Sequence, residues 1–170
     1  LYAGQELGEQ AADAEGYSGL DGRTTIFDYW SVPTLRRWHQ GKPTADERRL
    51  CARYRKLLRL SGSEKVLSNG DFFDLMYVNQ DTLDTRLQYA YLRHYQGEMA
   101  LIVANFGDQV VDTAIRIPQH ALDCAQMPEG KYVCTELLTD KSVEYPLHGN
   151  GTFPLSLEAH DAAIWLFKKD

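Results

Sequence analysis

Positive charge is in deficit. Eighteen Lys and Arg face twenty-four Asp and Glu, a formal net charge of −6, which disfavours a nucleic-acid partner, since such binders usually carry excess positive charge. No run approaches the roughly 20 apolar residues that cross a bilayer, so no membrane span is expected. Cysteine is sparse: Cys51, Cys124 and Cys134 have no zinc-like spacing. A Cys124–Cys134 bridge and two separate buried thiols are both open, with the thiols favoured. His39, His94, His120, His148 and His160 are scattered, without the helical pairing of a metal site, so no metal and no cofactor is expected. A phosphate loop is excluded too, because Gly149-Asn150-Gly151 is a hairpin turn with no following helix. No basic segment followed by an apolar stretch opens the chain at Leu1, so no signal peptide is visible. The true N-terminus is expected upstream, and the compartment stays open.

What is present falls into two rhythms. Up to about residue 61 the apolar spacing is helical. Thr44 and Glu47 make a capping box for a helix over 45–60, in which Leu50, Tyr54, Leu57 and Leu58 share an apolar face and Ser61-Gly62 supplies the stop. A shorter helix covers Thr34 to His39. Before them, Leu7 to Gly22 is a long loop rich in Gly, Ala, Asp and Glu. After Gly62 the period drops to 2. Eight runs read as strands: Phe72–Val78, Leu87–Tyr95, Met99–Asn105, Val110–Ile117, Tyr132–Leu138, Val143–Leu147, Phe153–Leu157 and Ala162–Phe167. Turn residues separate them and no helix is read between them, which predicts a mainly β chain: an antiparallel Greek-key sandwich. Leu87, Tyr89, Tyr91 and Tyr95 share one strand face, read as the core face. An exposed aromatic platform is the alternative. In the last run, Ala163, Trp165 and Phe167 oppose Ala162, Ile164 and Leu166.

Three other constellations carry possible chemistry. Asp13, Glu15, Asp21 and Asp28 do not match a calcium loop and read as a solvated surface. Arg36, Arg37, Arg48, Arg49, Arg53, Arg55, Lys56 and Arg59 read as a solvated helix face rather than an anion patch, having no aromatic interleaving for base stacking. Tyr17, Phe27, Tyr29 and Trp30 cluster in or after the loop.

The opening Leu1-Tyr2-Ala3-Gly4-Gln5-Glu6 resembles the end of the eighth barrel strand of α-amylase-family glycoside hydrolases. The following order is similar as well: a long loop, an Arg- and Leu-rich helix, then a β-domain. Tyr89-Ala90-Tyr91-Leu92-Arg93 and Ala100 to Phe106, ending in Asn105-Phe106, resemble paired strands of that family's C-terminal domain. A complete barrel needs roughly 250 residues, so the resemblance implies a remnant of the catalytic barrel over 1–61 and a C-terminal β-sandwich over 62–170. The partner it implies is the missing barrel, and in the parent enzyme an α-1,4-glucan. Retaining glycosidases use two carboxyl groups roughly 5 Å apart. In this family those groups precede strand eight, so no catalytic residue is expected in this chain. Tyr29 and Trp30 are the candidates for an outer sugar subsite, with loop packing as the plainer alternative. Gln5 and Glu6, with Glu9 nearby, are candidates for shaping the pocket floor, with backbone hydrogen bonding as theirs. Separated from a barrel, the Leu50, Tyr54 and Leu57 face is expected to favour self-association. Other readings are a carbohydrate-binding module resting on Tyr89, Tyr91 and Tyr95, or an assembly domain.

Overall fold

The computed structural model describes residues 4–12, 14, 19–20, 22 and 31–169. The chain forms two compact units, residues 1–59 and 60–170. Tyr29 and Trp30, together with Asp13, Glu15, Tyr17, Asp21, Phe27 and Asp28, lie outside the described residues.

In the first unit Gly4, at φ 87°, turns the chain into a 3-10 turn over Gln5–Leu7 that buries Leu7. Helix α1 spans Pro33–His39 with proline in its first turn, where a missing N–H costs nothing. Helix α2 spans Ala45–Ser63 and opens on the expected capping box. The Glu47 N–H donates to Thr44 Oγ1 at 3.2 Å, and the Thr44 N–H donates to Glu47 Oε2 at 2.9 Å. The helix does not stop at Ser61-Gly62. The Glu64 N–H still reaches the Leu60 carbonyl at 2.9 Å, and one glycine costs a helix only about 1 kcal/mol against alanine.

The second unit takes in the last residues of α2, from Leu60, and a single turn, α3, over Lys65–Ser68. Eight strands follow: β1 Asp71–Asp74, β2 Gln88–Tyr95, β3 Glu98–Asn105, β4 Val111–Ile117, β5 Gly130–Glu136, β6 Lys141–Leu147, β7 Gly151–Leu157 and β8 Asp161–Lys169. Two segments differ from the sequence reading. The first run is cut at Asp74, whose Oδ1 accepts the Met76 N–H at 3.0 Å and starts a 3-10 turn over Met76–Val78. Between β4 and β5 a helix, α4, covers Gln119–Ala125 and buries Ala121, Leu122 and Ala125.

All pairings are antiparallel. Six strands run in the order β1-β2-β3-β8-β5-β6, and β4 pairs with β7 in a second sheet. The β5–β6 hairpin is thus inserted between two strands that pair elsewhere, the interleaving of a Greek key. The main core gathers Leu92, Leu101, Val103, Ile115, Ile117, Tyr132, Phe153 and Phe167. A second cluster holds Val66, Ala100, Ile102, Ile164 and Leu166. Strand β3 feeds both: Met99, Leu101 and Val103 join the first, Ala100 and Ile102 the second, as strand alternation requires. In β8, Trp165 and Phe167 side with the main core, Ile164 and Leu166 with the second cluster.

The tyrosine face of β2 is not the main core face. Ala90 and Leu92 are fully buried, whereas Tyr89 is 40% exposed. Register explains this: Tyr91 stands opposite Ile102 and Ala90 opposite Val103, so the tyrosines share the second cluster's side. The cysteine expectation also changes. All three are free, and only Cys134 is buried, while Cys124 is exposed and Cys51 intermediate.

Buried polar side chains fasten the loops. Asn105, 1% exposed, donates from Nδ2 to the carbonyls of Gln109 (2.8 Å) and Glu158 (3.0 Å). Its Oδ1 accepts from the Gly107 N–H (3.0 Å) and Gln88 Nε2 (3.2 Å). Asn79 does the same for β4, donating to the Leu75 and Arg116 carbonyls and accepting the Arg116 N–H at 2.8 Å. Glu136 accepts the N–H groups of Leu138, Thr139 and Ile164. Buried backbone groups need partners, and these three residues supply them.

Candidate functional site

Gln5 and Glu6 sit in the 3-10 turn that Gly4 creates. Gln5 Nε2 donates to the Tyr54 hydroxyl at 3.1 Å. Their neighbour Glu9 is more deeply engaged. Its carboxylate accepts Thr34 Oγ1 at 2.7 Å, the Thr34 N–H at 3.2 Å, and the N–H groups of Gln10 and Ala11 at 2.9 and 3.1 Å. Burial pushes the Glu9 carboxyl up, but the bonds from Thr34, Ala11 and Gln10 together outweigh it and hold the group below the ordinary carboxylate range. Gly4 is needed here for a second reason: a Cβ on it would lie 2.9 Å from Glu9 Cβ.

Glu47, 5% exposed, is the other tied carboxylate of this unit. Arg37 Nε donates to it at 2.9 Å beside the Nη2 ion pair, and the Thr44 N–H adds a third bond. The Arg37 hydrogen bond leads the causes that keep its carboxyl low, against desolvation. Both carboxylates spend their oxygens on local donors, which organises the chain and leaves little basicity for acid–base work. On the helix, Leu57 and Leu58 are 37% and 56% exposed, so the apolar face runs out to solvent.

Two aromatic groups mark the second unit. On the outer face of the six-stranded sheet, Phe72 (53% exposed), Tyr91 and Tyr89 form a ladder with ring centroids 5.3 and 5.7 Å apart. Arg93, which stands opposite Phe72, has a buried Nε without a hydrogen-bond partner among the described residues. Tyr91 and Tyr95 both pack against the second cluster. The other group joins Phe73, Tyr77 and His120, with the Tyr77 hydroxyl 2.7 Å from His120 Nε2. Sequence reading missed it by extending β1 through Tyr77 and by leaving 119–125 unassigned. The Ala121, Leu122 and Ala125 spacing was the available helix signal. Among the described residues no group of three or more His, Cys, Asp or Glu could hold a metal ion, and no helix is long and apolar enough to cross a membrane.

No protein-family model and no curated protein matches the chain. Solved structures do. An Anoxybacillus α-amylase superposes with a TM-score of 0.58 at 18% identity over 99% of this chain. AmyP in complex with maltose gives 0.63 at 16% identity over 98%. The fold is that of an α-amylase C-terminal region. A maltogenic α-amylase from Thermotoga neapolitana agrees, with a TM-score of 0.61 at 14% identity over the whole chain. This α-amylase-like segment spans only 28, 30 and 33% of those three chains.

Proposed function

We propose that this chain is the C-terminal part of an α-amylase-type enzyme acting on α-1,4-glucans, non-catalytic by itself, with a structural role in the parent. The observation that carries this reading is the asymmetric coverage: at least 98% of this chain against no more than 33% of three α-amylases. Residues 1–61 close the barrel and residues 62–170 form the stabilising sandwich. In the parent, Gln5 and Glu6 support the pocket floor, and Tyr29 and Trp30 line an outer sugar subsite.

The outer sheet face is the surface the missing barrel covers. Its half-exposed Phe72 and Tyr89 need the apolar partners that a docked barrel would supply, since burying such area is favourable. Tyr91 and Tyr95 pack against the second cluster, which counts against a three-tyrosine sugar platform on this face. Without the barrel, the exposed Leu57 and Leu58 side chains favour self-association.

The test is the reading frame upstream of Leu1 and the activity of its product. An upstream barrel with three active-site carboxylates, and release of sugar from starch and maltodextrin, are expected. A parent that releases none refutes the reading. Concentration-dependent mass of the 170-residue chain tests self-association, with a constant monomer mass as the contrary result.

A further inference from the structure

The turn that links β6 to β7 runs through His148-Gly149-Asn150-Gly151. The Gly151 N–H closes it by donating to the His148 carbonyl at 3.1 Å. Asn150 takes the third place of this turn at φ 61°, a left-handed conformation that Asn tolerates and most side chains avoid. It is exposed, and its side chain is lightly held: Oδ1 accepts the Gln119 N–H at 3.4 Å, longer than the usual range.

His148 stands over the same turn. Its Nδ1 lies 2.9 Å from the Pro146 carbonyl oxygen. A carbonyl only accepts, so Nδ1 carries the proton and the neutral imidazole keeps its lone pair on Nε2. That nitrogen faces Gly151, where a Cβ would lie 3.1 Å from Nε2 and 3.0 Å from Cε1. The missing side chain is what lets the ring come so close.

Complementary chemistry thus meets within four residues. The Gly151 peptide nitrogen is a nucleophile once it loses its proton. The Asn150 side-chain amide is the electrophile, and Gly151 has no side chain to block the approach. The Gln119 N–H draws charge onto the amide oxygen, where it develops during attack. His148 Nε2 is a base beside the residue whose N–H must be deprotonated, a transfer that runs directly or through one water.

We propose that Asn150 is a self-modifying site that deamidates with His148 as its base. Gly151 N bonds to Asn150 Cγ while its proton passes to His148 Nε2. The proton moves on to Asn150 Nδ2, the Cγ–Nδ2 bond breaks, and ammonia leaves behind a cyclic imide. Water opens the imide at either carbonyl, giving Asp or isoaspartate at position 150. Water enters, ammonia leaves and a negative charge is gained. Isoaspartate also lengthens the main chain where the Asn150 N–H donates to the Ile117 carbonyl at 2.9 Å, the point that ties this turn to the end of β4.

Asn69-Gly70 is the internal control, the same dipeptide with an exposed Asn. There a Cβ on Gly70 would run into the Val66 carbonyl and lie 3.0 and 3.2 Å from the His94 backbone oxygen and nitrogen, so neighbouring elements pin that peptide. The 170-residue chain is incubated at neutral pH, and peptide mapping with isoaspartate-specific methylation follows both sites. Asn150 is expected to convert well ahead of Asn69. His148→Gln should slow Asn150 about tenfold or more and leave Asn69 unchanged. If that variant melts lower, the unmutated chain decides: Asn150 should convert at least as fast folded as in urea, where His148 is no longer positioned. Asn69 keeping pace with Asn150, an unchanged rate in His148→Gln, or slower conversion folded than unfolded overturns the site.

Discussion

Replacing Asn105 by Asp isolates what the Asn-Phe pair does. The two side chains are nearly the same size, so packing is preserved and only hydrogen-bond chemistry changes. Asn105 Nδ2 donates to the carbonyls of Gln109 and Glu158, while Oδ1 accepts from Gly107 and Gln88. An Asp keeps the accepting side and loses both donors. It places an oxygen against two carbonyl oxygens at 2.8 and 3.0 Å in a position 1% exposed. Two orphaned acceptors cost about 1–3 kcal/mol each. The new carboxylate must also be buried or protonated, so a loss of about 3–5 kcal/mol is expected. For a chain of this size that lowers the melting temperature by roughly 6–20 °C, at about 2–4 °C per kcal/mol. Guanidinium melts followed by circular dichroism at neutral pH supply the measurement. The partner Phe106 is 66% exposed, so Phe106→Ala is the control and should stay within about 0.5 kcal/mol. A loss below about 1 kcal/mol for Asn105→Asp, or an equal loss for the two variants, would refute the claim that Asn105 is the fastening residue.

Three further outcomes are expected. Gly4→Ala forces φ 87° on a residue with a Cβ and sets that atom 2.9 Å from Glu9 Cβ; a loss of about 1–3 kcal/mol should appear in thermal melts, and an unchanged melt would contradict the geometry. Glu9 and Glu47 both titrate lower folded than their ordinary 4.5. Their stabilisation is therefore present above that value and lost as pH falls through the depressed folded values, so helix signal should decline on acidification below about 4.5. Glu47→Gln, which keeps shape but not charge, should flatten that decline, and an identical acid profile would count against it. Burial pushes the Cys134 thiol up to about 12, while Cys124 is exposed. A thiol reagent at mildly alkaline pH should label Cys124 at least about a hundredfold faster than Cys134, since the thiolate is the nucleophile; equal rates would contradict the burial.

The β character was legible because strand alternation and turn residues are local signals, and every one of the eight runs holds a strand. Boundaries failed where a side chain overrode the period. Asp74 bonds the Met76 amide and ends β1 early, although Phe72 to Val78 remains apolar enough to continue. Helix α4 was missed because seven residues give barely two turns of pattern, and its stability comes from burying Ala121, Leu122 and Ala125 rather than from propensity. The β2 tyrosines were read as a core face. Tyr91 and Tyr95 do pack against the second cluster, but Tyr89 is exposed and the main core takes the other side. Alternation tells that two faces differ, not which one meets the second sheet. Pairing decided it: Ala90 meets Val103 and Tyr91 meets Ile102, a non-local fact. Cys124 and Cys134 could not be separated either, since one lies on a short helix and the other on an inner strand.

The features that carried the resemblance have a common physical basis. Gly4 of Gly-Gln-Glu holds a positive φ next to a crowded carboxylate, and Asn105 of Asn-Phe satisfies two carbonyls and one amide. Neither contributes much apolar area. Core positions behave differently, because a hydrophobic side chain of about the right volume can be exchanged for another if its neighbours repack. A buried backbone group has no such freedom, since it needs a donor or acceptor at a fixed place. A fold shared at 14–18% identity with three α-amylases is therefore better recognised by its backbone-fastening residues than by its core. The same logic separates them from chemistry. Glu9, Glu47 and Glu136 each have oxygens committed to backbone or Arg donors. A carboxylate so committed holds the chain in shape and has lost the freedom to exchange a proton with a substrate.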